Sequence, residues 1–74
     1  MTPEEARALA ENLLKTQDMR GYKAVFAEAR EHERWPNEFS VIFDLYSKSG
    51  NLTDGPMIVI VDKTTRKARF FESL

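Results

Sequence analysis

Seventy-four residues, 31% of them charged and 42% hydrophobic, with a formal net charge of −1, describe one domain near the smallest size at which a hydrophobic core holds a fold unaided. The chain has no cysteine, which excludes disulfide staples, thiol nucleophiles and thiolate metal sites. The near-neutral balance argues against a strongly basic nucleic-acid or membrane-surface binder.

The opening Met1-Thr2-Pro3-Glu4-Glu5 is acidic and lacks the basic region and apolar core of a signal peptide. No apolar run nears the roughly 20 residues that a bilayer requires. A cytoplasmic single domain over residues 1–74 is expected, with no membrane and no nucleic-acid partner.

The first predicted element is a helix. Thr2 suits the N-cap, Pro3 the first helical position, and Glu5 completes a Thr-x-x-Glu capping box. Ala6, Leu9, Ala10, Leu13 and Leu14 then fall on one stripe at i, i+3, i+4, i+7 and i+8. A polar exit at Gln17-Asp18 runs to Gly21.

Residues Tyr22 to Arg34 carry two patterns. As a helix, Tyr22, Val25, Phe26 and Ala29 share a face; as a strand, Tyr22, Ala24 and Phe26 alternate with Lys23, Val25 and Ala27. The strand is preferred, because a hairpin partner is the simplest neighbour for the strand that follows.

Trp35-Pro36-Asn37 makes the turn. In Glu38 to Ser47, Phe39, Val41, Phe43 and Leu45 form a wholly apolar face expected to lie against the helix, while Ser40, Ile42, Asp44 and Tyr46 take the other. Lys48-Ser49-Gly50-Asn51 begins a loop that continues through Leu52 and Thr53 to an Asp54-Gly55-Pro56 turn. Met57 to Val61 is too short for an independent helix and reads as a strand buried on both faces. Lys63-Thr64-Thr65-Arg66 is a hairpin connection, and Lys67 to Glu72 a last strand with Ala68 and Phe70 opposite Arg69 and Phe71. The fold class is α+β: one N-terminal helix packed on a three- or four-stranded antiparallel meander sheet.

One short helix covers one face of such a sheet, yet Ile42, Tyr46, alternate residues of Met57 to Val61 and one of Phe70 or Phe71 belong on the other. A partner protein, a second copy of the chain, or sheet curvature could cover them. At about 25 cal/mol per Å², burying a patch of a few hundred Å² stabilises by several kcal/mol before association costs. A protein partner or self-association as a homodimer is therefore expected. Trp35, Glu38, Ile42, Asp44 and Tyr46 are the expected partner-binding residues. Trp35 either anchors an interface among Glu28, Glu31, Glu33 and Glu38 or folds back over the core.

The remaining polar groups carry weaker signals. His32, the only histidine, lies between Glu31 and Glu33, but a metal site needs three or four converging ligands. A solvated hairpin end is expected there. Lys63, Arg66, Lys67 and Arg69 form a basic cluster without interleaved aromatics, expected to be a solvated turn with charges guarding an edge strand. Asp44, Asp54 and Asp62 come with no nucleophile motif, phosphate-cradling glycine loop or metal spacing. No catalytic, cofactor-binding or metal residue is assigned, and no cofactor is expected.

The Trp35-led strand with its Phe39 to Phe43 core, followed by a loop and Gly55-Pro56-Met57-Ile58-Val59-Ile60-Val61-Asp62-Lys63-Thr64-Thr65, resembles the YrhB-like domain, an immunity-protein family of bacterial polymorphic toxin systems. That family pattern is a tryptophan- or phenylalanine-led strand and a Pro-hydrophobic-Val-Asp-Lys-x-(Thr/Ser)-Gly segment. Arg66 stands where the pattern has glycine, which leaves the turn geometry open. The resemblance implies a cystatin-like or nuclear-transport-factor-like α+β fold. It also implies a non-enzymatic protein that neutralises a cognate toxin by binding it, and transfers no catalytic residue. The alternatives left by the residues are a structural homodimer and a small-ligand-binding domain with its pocket between helix and sheet.

Overall fold

The computed structural model describes residues 1–53 and 55–71. Asp54 of the expected turn and Glu72 of the expected last strand lie outside them. The elements run α1 (Pro3–Lys15), β1 (Lys23–Glu31), β2 (Glu38–Tyr46), β3 (Met57–Asp62) and β4 (Ala68–Phe70). The strands form one antiparallel sheet in the order β1-β2-β3-β4, with α1 across one face. This is the α+β meander expected from the sequence, with four strands.

The start of α1 is set by its cap. The Glu5 N–H donates to Thr2 Oγ1 at 3.2 Å and the Thr2 N–H donates to Glu5 Oε1 at 3.4 Å, which satisfies two groups a helix end otherwise leaves unpaired. The helix buries Ala6 and Ala10 completely and packs Leu9, Leu13 and Leu14 partly against the sheet. Small residues at the closest approach let the helix backbone sit low on the strands. Thirteen residues at 1.5 Å each give a rod of about 20 Å that meets all four strands.

β1 is a strand, as expected, and its register explains the helix-like pattern. Pairing with β2 runs Phe26↔Phe43 and then Glu28↔Ile42, leaving Ala27 as the extra residue of a β-bulge. Strict alternation from Phe26 would put Glu28 and Arg30 on the core side. The bulge turns them outward and brings Ala29 opposite Val41, so Ala24, Phe26 and Ala29 all pack on the core.

Phe39, Val41 and Phe43 of β2 and Val59 and Val61 of β3 face α1 and are buried, with Phe26 edge-on to Phe43 at 6.1 Å. The space between helix and sheet is therefore filled. Beyond β2, Thr53 donates from both N–H and Oγ1 to the Leu45 carbonyl at 2.9 Å, and Leu52 bridges to Tyr46. The loop is thus pinned to the end of the strand.

The β3–β4 connection settles the open geometry at Arg66. Its φ is 61°, in the left-handed region that glycine favours. Asp62 Oδ1 accepts the N–H groups of Thr64 and Thr65 at 2.8 and 2.9 Å, and the Arg66 N–H donates to the Asp62 carbonyl at 2.9 Å. The turn keeps a glycine-type backbone with an arginine in it, and the guanidinium pairs with Glu5 at the start of α1.

Candidate protein-binding surface

The face of the sheet away from α1 is fixed by the register, because directly paired residues share a face. Across its middle run Arg30, Ser40, Ile60 and Arg69, and beside them Glu28, Ile42 and Ile58. The Phe71 N–H donates to the Ile58 carbonyl at 2.9 Å, which carries the β4 edge one residue further. Ser40 and Ile60 are only 8% and 3% exposed although no helix covers them. Long arginine stems on the flanking strands shield the centre of such a row while their charged ends stay in water.

The structure places all five expected partner-binding residues along this face, but not as one cluster. Trp35 and Glu38 lie at one end, where they line a concavity of about 310 Å³ with His32, Ile60, Arg69 and Phe71. Ile42 lies mid-face, in a second concavity of about 350 Å³ whose floor also holds Ser40, Ile58 and Ile60. Asp44 pairs with Val25, and Tyr46 borders a third hollow with Lys23, Val25 and Lys48 at the far end. The first two hollows share His32, Ile60 and Phe71, and so form one trough.

Trp35 does not fold over the core. It is 54% exposed, with its ring edge-on to His32 at a centroid distance of 4.7 Å. His32 Nδ1 accepts the Arg34 N–H at 3.2 Å, and the His32 N–H donates to the Glu38 carbonyl at 3.0 Å. The His32 backbone thus ties the two sides of the Trp35 loop together, and its imidazole binds the loop through the Arg34 N–H and the Trp35 ring. Among the described residues no three histidine, aspartate or glutamate side chains are grouped to hold a metal ion.

The two opposed charge clusters of the sequence become cross-links. Lys63 Nζ meets Glu31 at 2.8 Å and lies 4.8 Å from the Phe39 ring centroid, while Arg69 meets Glu38 at 3.0 Å. With Arg66 on Glu5, three of the four cations of the expected basic cluster are paired with acids from elsewhere in the fold. The Lys63 hydrogen bond and charge hold the Glu31 carboxyl below its usual range, and the Arg66 hydrogen bond does so for Glu5, helped by the Thr2 N–H. Asp62 is lowered by the Thr65 and Thr64 N–H groups.

No protein-family model, no curated protein and no solved structure matches this chain. No helix among the described residues is long and apolar enough to cross a membrane.

Sequence reasoning missed part of the surface. Leu52 is 61% exposed and, through its bridge to Tyr46, lies on the same face. Val25 lies there too, at 40% exposure, opposite Asp44. A lone leucine in an otherwise polar loop was the available signal. Arg30 and Arg34, interspersed in sequence among the acids around Trp35, both line the mid-face hollow.

Proposed function

We propose that this protein is a small non-enzymatic binding module that docks a protein partner on the sheet face opposite α1. One observation carries the reading. Of the five large hydrophobic side chains that are exposed among the described residues, Val25, Leu52 and Phe71 lie on that face and Trp35 lines its end; Tyr22 is the fifth. Scattered exposed hydrophobics are ordinary, but their gathering on one uncovered face marks an interaction surface.

The resemblance to the YrhB-like immunity family supports a specific form of this function: neutralisation of a cognate toxin through protein–protein contact in the cytoplasm. The purified protein is expected to form a stoichiometric complex with the product of the adjacent gene. Phe71→Glu is expected to abolish it while leaving the far-ultraviolet spectrum unchanged. A complex that tolerates Phe71→Glu and Val25→Glu together would overturn the assignment of the face.

The same apolar surface also favours a second reading, a homodimer joined through this face. Sedimentation at micromolar concentration decides it: a dimer that Phe71→Glu dissociates supports this form, and a monomer excludes it.

A further inference from the structure

We propose that His32 is a proton-operated latch on the Trp35 loop: the neutral imidazole holds the loop, and protonation releases the indole from the end of the trough. The proposal goes beyond the docking reading and stands whether or not a partner binds the face.

The latch is one hydrogen bond and one ring contact. His32 Nδ1 accepts the Arg34 N–H at 3.2 Å, and the imidazole lies edge-on to the Trp35 ring at 4.7 Å. The bond fixes the chain just ahead of Trp35, and the ring contact sets where the indole lies. A neutral imidazole keeps one bare ring nitrogen and accepts there. An imidazolium carries a proton on both nitrogens, so no ring flip restores an acceptor. A proton taken from solvent therefore sets N–H against N–H and strands the Arg34 donor.

The rest of the hairpin end does not depend on the ring. The His32 N–H donates to the Glu38 carbonyl at 3.0 Å, and the Glu38 N–H donates to the Trp35 carbonyl at 2.9 Å. These two backbone bonds persist in either state, which confines the change to residues 33–35 and leaves the sheet intact. The charges around the ring do not replace the lost acceptor. β1 and its turn bring Arg30, Glu31, Glu33 and Arg34, β2 brings Glu38, and β4 brings Arg69. Glu31 is held by Lys63 and Glu38 by Arg69. Glu33 makes no ion pair among the described residues, so it is the acid available to draw the imidazolium away from the Arg34 N–H.

The test reads the latch directly in the full chain. His32→Asn keeps a side-chain acceptor for the Arg34 N–H at every pH, and His32→Phe offers none. At one neutral pH, hydrogen exchange of the Arg34 amide is expected to be about fivefold faster in His32→Phe than in His32→Asn, the bias of one net hydrogen bond. In the wild-type protein the nuclear Overhauser contact between the His32 and Trp35 rings is expected at about pH 8 and lost by about pH 5, in step with the titration of the His32 ring signals. His32 is the only histidine and Trp35 the only tryptophan, so both ring signals are unambiguous. A ring contact that survives protonation of His32, or equal Arg34 exchange in the two variants, would overturn the latch.

Discussion

Asn37 and Asp62 join the two turns at one end of the sheet. The Asn37 amide donates to Asp62 Oδ1 at 3.3 Å, its carbonyl oxygen accepts from Thr64 Oγ1 at 3.0 Å, and the Lys63 N–H donates to the Asn37 carbonyl at 2.8 Å. The turn entering β2 and the turn leaving β3 are thus one polar unit, centred on an oxygen that also accepts two backbone N–H groups. Asp62→Ala is expected to lower the urea midpoint because it strands those donors, whereas Asp62→Asn keeps an acceptor oxygen and should lower it less. Equal midpoints for the two variants would show that the carboxylate oxygen is not the organising group.

The same carboxylates set an acid response. Asp62, Glu31 and Glu5 are all lowered, by N–H donors, by Lys63 and by Arg66 respectively. A carboxyl with a lower value in the folded than in the unfolded state binds fewer protons when folded. Its stabilisation is complete above the unfolded value and is lost as pH falls through the folded one. Stability is therefore expected to hold from neutral pH to about 5 and to decline below about 4. Urea titrations at a series of pH values check this, and Asp62→Asn should flatten the decline.

Arg66 separates backbone strain from charge. Both Arg66→Ala and Arg66→Gly remove the pair with Glu5, but only alanine keeps a β-carbon at a φ of 61°. Arg66→Gly is expected to be more stable than Arg66→Ala by about 1 kcal/mol, the usual size of the left-handed penalty. Equal stabilities would mean the turn relaxes out of that conformation.

Two aromatic residues should behave oppositely. Phe43 is 1% exposed in the centre of the core, and Phe43→Ala is expected to cost about 3–5 kcal/mol, a large share of the about 5–15 kcal/mol that stabilises an ordinary domain. Trp35 touches His32 at the rim, so Trp35→Ala should cost under about 1 kcal/mol. Equilibrium unfolding of both variants measures the contrast. A large loss at Trp35 would mean that the loop supports the fold rather than presenting a contact.

The amino-acid sequence alone determined the helix, the two central strands and the division of β2 into an apolar and a mixed face. Those features depend on local rules: a capping box at Thr2 and Glu5, a 3.6-residue stripe in α1, and strict alternation from Phe39 to Leu45. The tertiary structure decided what depends on meeting a partner strand. Phe26 and Ala29 have helical spacing in sequence, yet both reach the core from a strand because Ala27 bulges, and only pairing with β2 creates a bulge. Charge went the same way. The basic cluster reads in sequence as a solvated turn, but antiparallel register carries Lys63 to Glu31 and Arg69 to Glu38 over long sequence separations. The open face itself, where Ile42, Ile58 and Ile60 from two strands meet Arg30 and Arg34 around one hollow, is therefore a product of the fold; no local stretch of the chain contains it.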